Sequence, residues 1–193
     1  DNGATADTIT VNPTVTTNYT ITVTDANNCS ASSTVTVTVQ DYPVVSVTPD
    51  TDICYGDGIS LLASGGNTYS WSPSNGLNDP NIANPFANPT ANTTYVVTVG
   101  IGACTTVDSV TIGVAPELIA AFSQDTTQGF APLTVTFTNN TNGDNTYQWN
   151  FGDGSPVSNI ESPAYTYTQQ GSYTVTLVAI NDLTGCSDTV SYS

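Results

Sequence analysis

Strict alternation of threonine with β-branched apolar residues constrains this chain more than any other feature. Thr20-Ile21-Thr22-Val23-Thr24 and Thr34-Val35-Thr36-Val37-Thr38-Val39 place Ile or Val on one side of an extended backbone and Thr on the other. That is the two-residue period of a strand with one covered face. The pattern returns in Tyr95-Val96-Val97-Thr98-Val99, Ser109-Val110-Thr111-Ile112, Leu133-Thr134-Val135-Thr136-Phe137 and Tyr173-Thr174-Val175-Thr176-Leu177. β-Branched side chains suit the pleat and disfavour helix. Asn, Gly, Pro, Ser and Asp gather between these runs as turns. No amphipathic helical stretch stands out, so the fold class is all-β.

The chain also repeats itself. Asn12-Pro13-Thr14 leads to Tyr19 and then Cys29; Asn88-Pro89-Thr90 leads to Tyr95 and then Cys104; Ser162-Pro163-Ala164 leads to Tyr173 and then Cys186. Tyr69-Ser70-Trp71 and Tyr147-Gln148-Trp149 match upstream. Repeats this long are whole small domains. About seven short strands per repeat, with an early Trp and a late Tyr, predict immunoglobulin-like β-sandwiches in a head-to-tail array. The expected division is residues 1–40, the C-terminal half of a repeat; 41–115, a complete repeat; and 116–193, a third domain. Trp71, Trp149, Tyr19, Tyr95 and Tyr173 are expected in the cores, the tyrosines opening the penultimate strands as tyrosine corners. Half a sandwich cannot bury a core. The first repeat is therefore expected to be completed by its own upstream chain or by a neighbour.

Composition narrows function. Of 193 residues none is Lys, Arg or His, 16 are Asp or Glu, and the formal net charge is −16. Nucleic acid binding needs cations to displace phosphate counterions, and docking on an anionic membrane needs them too. Without His there is no Ser-His-Asp machinery, no imidazole metal ligand and no HExxH site. No apolar run is long enough to insert in a membrane as a helix. An enzyme built on carboxylates alone, such as a glycosidase, passes the composition test, but the acids fall in loops between repeats, and no catalytic residue is expected. Sparse Cys in a Thr-rich acidic chain points to an extracellular setting.

One stretch resembles a known family. Trp149-Asn150-Phe151-Gly152-Asp153-Gly154, then Ser162-Pro163-Ala164-Tyr165-Thr166-Tyr167, then Gly171-Ser172-Tyr173-Thr174-Val175-Thr176-Leu177 resemble the PKD domain across about residues 118–193. The family pattern is W-x-F-G-D-G, P-x-H-x-Y and G-x-Y-x-V, with Tyr165 standing where the family carries His. Gly152-Asp153-Gly154 reads as a hairpin turn. Cys54-Tyr55-Gly56, Ala63-Ser64-Gly65-Gly66, Tyr69-Ser70-Trp71-Ser72-Pro73 and Gly76-Leu77 resemble the repeats of very long Bacteroidetes surface adhesins. Proteins of that kind are exported by the type IX system and some serve gliding motility. The resemblance implies a bacterial cell-surface protein for cell adhesion or a filament.

The four cysteines allow three pairings. Closeness in sequence favours Cys54 with Cys104. Topology favours Cys54 with Cys186: in a sandwich the first loop and the last hairpin lie at opposite poles, whereas in a head-to-tail array the first loop of one domain faces the last hairpin of the next. Cys104 and Cys29 would then pair upstream. Asp50, Asp52, Asp57, Asp144 and Asp182 fall at the same joint as candidate Ca²⁺ ligands, since hard carboxylate oxygens suit that ion. Thr8, Ser109, Thr126 and Thr189 follow Asp and precede or neighbour apolar residues, the O-glycan acceptor pattern that the resemblance implies. Asn18 and Asn92 open N-glycan sequons. The expected function is a non-catalytic structural or adhesive segment. Its partners would be adjacent repeats, identical chains in a fibre and surface glycans, with no nucleic acid and no membrane insertion. The alternative is an accessory carbohydrate- or protein-binding module of a secreted hydrolase.

Overall fold

The computed structural model describes residues 8–143 and 145–193, and every regular element among them is a strand. The first two are β1 (Thr17–Thr24) and β2 (Ser30–Val37), an antiparallel hairpin. Its register pairs Tyr19 with Val35 and Ile21 with Ser33, so one face carries Tyr19, Ile21, Val23, Val35 and Val37. On the other face hydroxyls pair across the strands: Thr20 with Thr34 at 3.3 Å and Thr22 with Ser32 at 2.8 Å.

Eight strands follow: β3 (Ser46–Val47), β4 (Thr51–Ile53), β5 (Ile59–Ser60), β6 (Ala63–Ser64), β7 (Thr68–Ser72), β8 (Phe86–Ala87), β9 (Thr93–Ile101) and β10 (Cys104–Val114). One layer is a four-stranded sheet in the order β4-β10-β9-β7, with β4 parallel to the end of β10. The facing layer is assembled from short pieces. β6 pairs with β3, β5 pairs with β8, and Leu61 and Ala63 donate to Pro85 and Ala83. Between the layers lie Leu61, Ala63, Trp71, Ala87, Tyr95, Val97, Val99, Val110 and Ile112, all buried. The alternation seen in sequence is now explained: Tyr95, Val97 and Val99 point inward, while Thr94 bonds Thr111 on the outer face at 2.9 Å.

The last six strands are β11 (Phe122–Gln124), β12 (Leu133–Asn139), β13 (Thr146–Asn150), β14 (Ala164–Tyr167), β15 (Val175–Ile180) and β16 (Ser187–Tyr192). They form two three-stranded sheets, β11-β12-β14 and β13-β15-β16. Their shared core is aromatic. Phe122 stands edge-on to Trp149 with centroids 5.0 Å apart, and Phe151 stacks on Tyr165 at 3.9 Å. Edge and offset contacts of this kind add to what burial alone provides.

Of the five aromatics expected in cores, Trp71, Trp149 and Tyr95 are buried. Tyr173 lies just before β15, half-buried against the core edge, and its hydroxyl donates to the Gln169 carbonyl four residues upstream. Tyr95 departs from that local corner and donates to Asn75, twenty residues back. Tyr19 is corrected: it is half-exposed, because β1 and β2 have no facing layer among the described residues. Residues 1–7 of the expected half repeat lie outside the described residues.

Candidate functional site: the cysteine joint

Cys54 follows β4 directly and opens a turn in which Asp57 donates its N–H to the Cys54 carbonyl. Cys186 ends the hairpin between β15 and β16, where Asn181 donates its backbone N–H to the Cys186 carbonyl. These two cysteines are bonded to each other, with Cα atoms 5.6 Å apart and a separation of 132 positions in sequence. The bond therefore joins the sandwich of β3–β10 to that of β11–β16. The alternative pairing, Cys54 with Cys104, is overturned by register. Val114 is the parallel neighbour of Ile53, and Cys104 lies at the other end of β10. At ~3.3 Å per residue that is about 30 Å, far beyond the ~7 Å a disulfide spans. Cys104 and Cys29 are free thiols, each in the last hairpin of its own repeat.

The acids of the joint do not come together. Asp50 accepts the Thr111 backbone N–H at 2.7 Å. Asp52 lies on β4 with its carboxylate against Gly113, leaving no room there for a side chain. Asp182 accepts the Thr146 hydroxyl at 2.9 Å. Asp57 is exposed in its turn, and Asp144 lies outside the described residues. Among the described residues no three Cys, Asp or Glu side chains gather to hold a metal ion. Asp50 and Asp182 are each engaged singly, one by a backbone N–H of β10 and the other by a hydroxyl of β13.

The O-glycan candidates are spread over the surface. Thr8, Ser109 and Thr189 are exposed; Thr126 is half-buried and donates to the Gln128 carbonyl. The aspartates ahead of two of them have structural roles that sequence alone did not show. Asp188 accepts the Ala120 N–H at 2.8 Å, and Asp125 accepts the Thr136 N–H at 3.0 Å. The latter bond holds the Asp125 carboxyl below its usual range.

Gly152-Asp153-Gly154 forms a wide hairpin closed by reciprocal backbone bonds between Trp149 and Ser158. Gly152 has φ of 81° and sits against the Thr174 backbone, so only glycine fits. Asp153 accepts the Tyr165 hydroxyl at 2.6 Å. That bond lowers the Asp153 carboxyl and raises the Tyr165 phenol. Tyr167 donates to the Phe151 carbonyl at 3.0 Å, and burial pushes its phenol up to about 12. Tyr165 thus joins the loop to the core from the position where the sequence pattern carries a histidine.

Residues 113–193 match the PKD domain. The match covers β11 to β16 and the end of β10. Among solved structures, the chain is similar to the N-terminal eight Ig domains of Down Syndrome Cell Adhesion Molecule, with TM-score 0.50 and 12% identity. That alignment covers 91% of this chain and 34% of the other, so the chain spans about a third of the molecule it matches. Extracellular domains 3–5 of Drosophila OTK align at 10% identity and TM-score 0.43, over 91% of this chain and 69% of theirs. At such identity the likeness to the first of these is one of fold: immunoglobulin-like sandwiches. No helix among the described residues is long and apolar enough to cross a membrane. A disulfide such as Cys54–Cys186 belongs to oxidising surroundings outside the reducing cytosol.

Proposed function

We propose that this chain is a non-catalytic structural and adhesive segment of a long bacterial cell-surface protein or fibre of the type IX-exported kind, acting as a stiff, acidic, extracellular spacer. Its partners in this reading are neighbouring repeats, identical chains in a fibre, and surface glycans. The observation that carries the reading is the Cys54–Cys186 bond, which ties one sandwich to the next rather than closing either on itself. An enzyme or a compact binding domain gains little from a tie at its pole. A load-bearing row gains two things: bending at the joint is limited, and the stretch from Cys54 to Cys186, a separation of 132 positions, is removed from the stretchable path.

Pulling single molecules tests this. With the bond intact, unfolding under force releases only the chain outside residues 54–186. Adding a reductant, or substituting Cys186→Ser, is expected to add roughly 430–480 Å of contour length, at 3.3–3.6 Å per residue. Equal lengths with and without reductant would remove the strut reading.

One feature favours the second reading, an accessory binding module. A cavity of about 440 Å³ opens at the pole of the PKD module away from Cys186, lined by Phe122, Phe130, Tyr167, Tyr173 and Tyr192. Phe130 is 90% exposed. Binding of a soluble polysaccharide that Phe130→Ala abolishes would favour that role over the spacer.

A further inference from the structure

The β1–β2 hairpin and the β9–β10 hairpin are the same object in two environments. Their registers coincide: Tyr19 faces Val35 as Tyr95 faces Val110, and Thr17 faces Val37 as Thr93 faces Ile112. Tyr95, Val97, Val99, Val110 and Ile112 are all within 1% of full burial, whereas Ile21, Val23 and Val35 are 55%, 67% and 49% exposed. What buries the β9–β10 set is visible. β7 lies beside β9 with Trp71 opposite Val97 and Tyr69 opposite Val99, and Leu61, Ala63 and Ala87 close the face from the other layer. Among the described residues β1 has no such neighbour on its outer edge, and β2 has none on its own.

A second observation, at the far end of the hairpin, points to the same missing partner. β4 runs parallel to the end of β10, Ala115 donates its N–H to the Ile53 carbonyl, and the next residue, Cys54, bonds the last hairpin of the following sandwich. By the register above, Gln40 is the counterpart of Ala115. The free Cys104, in the last hairpin of its sandwich, lies with its Sγ 3.7 Å from the Gln40 carbonyl. Cys104 therefore stands where a cysteine would arrive at the end of a strand paired in parallel with Val37–Val39. The lead-in agrees as well: Asn88-Pro89-Thr90 connects β8 to β9, and Asn12-Pro13-Thr14 precedes β1 at the same distance from its tyrosine.

We propose that the β1–β2 hairpin is the receiving half of a divided sandwich. Its apolar face takes a segment built like residues 45–87, carried ahead of β1 on the same polypeptide. That segment adds an antiparallel strand beside β1, with a Trp opposite Ile21 and a Tyr opposite Val23. It adds a parallel strand beside the end of β2, and it ends that strand in a cysteine that bonds Cys104. The bond forms by two-thiol oxidation, two electrons and two protons passing to an extracellular oxidant such as oxygen or a disulfide donor. The inference does not depend on the spacer reading, since a binding module would need the same completion.

The test joins residues 41–87 of this chain directly ahead of Asn12, so that the probe is the chain's own segment. The Ile21 and Val23 amides are expected to gain at least ~100-fold protection from hydrogen exchange, and peptide mapping is expected to find the added cysteine bonded to Cys104. Trp71→Ala in the added copy alone is expected to lose at least ~10-fold of that protection, with the other two sandwiches unchanged. Unprotected hairpin amides together with a free Cys104 thiol would overturn the proposal. So would protection in the unmodified chain that grows with concentration alongside a sedimenting dimer, which would make a second copy the occupant. Protection by residues 41–87 added as a separate peptide, but not by the fused copy, would overturn the same-chain source.

Discussion

At the scale of single residues, the two tryptophans occupy matching places and differ in one bond. Trp71 donates its indole N–H to the Ile82 carbonyl at 2.9 Å, while the Trp149 N–H is buried with no acceptor. Trp71→Phe deletes the donor and leaves a carbonyl short of a partner; Trp149→Phe deletes a group that was already unsatisfied. Both lose similar packing, so the difference isolates the polar effect. Trp71→Phe is expected to cost about 1–2 kcal/mol more than Trp149→Phe, read from hydrogen exchange of the Val97 and Leu177 amides in their respective cores. The opposite ranking would show that the Trp149 N–H has a partner. Residue identity made the burial of both rings readable in advance, because a lone Trp amid Thr and Val has nowhere else to go. It did not make Tyr19 readable. Tyr19 and Tyr95 share one sequence pattern, and only the presence of a facing layer separates a half-exposed ring from a buried one.

At the scale of elements, the same contrast yields numbers. Leu177 on β15 is fully buried, whereas Val23, its counterpart on β1, is 67% exposed. Leu177→Ala is expected to destabilise its sandwich by about 2–5 kcal/mol. Val23→Ala is expected to change the melting of the two sandwiches by no more than about 0.5 kcal/mol; calorimetry measures both. A large effect of Val23→Ala would mean that the hairpin already has a cover. The long strands were legible because alternation is a local signal that registers nowhere else. The facing layer of the middle sandwich was not. β3, β5, β6 and β8 are two residues each, broken by Pro85 and by glycines, and tertiary contact rather than pattern fixes them. The acid cluster fails for a related reason: sequence puts Asp50 and Asp182 at one joint, but a backbone N–H of β10 holds one and a β13 hydroxyl the other. The geometry of the cysteines follows from strand direction alone, since a parallel β4 places Cys54 at the end of β10 remote from Cys104.

At the scale of the whole molecule, electrostatics has only one sign. With no Lys, Arg or His, the 16 carboxylates repel one another, and only the amino terminus could offset them. Raising ionic strength from ~0.01 to ~0.15 M shortens the screening length from about 30 Å to about 8 Å, which weakens repulsion and has almost no attraction to weaken. The melting temperature is therefore expected to rise with added NaCl over that range. A fall would mean that attractive charge contacts outweigh the repulsion.

The outer faces of the sheets show what replaces ion pairs. Hydroxyl meets hydroxyl across the strands at Thr94–Thr111, Thr134–Thr166 and Thr176–Ser191, all within 2.9 Å. Neutral rungs of this sort have no charge for a mobile ion to mask and do not ionise in the ordinary pH range. What they contribute to the sheets is therefore the same in dilute and in concentrated salt, and the salt response of the molecule comes from its carboxylates alone.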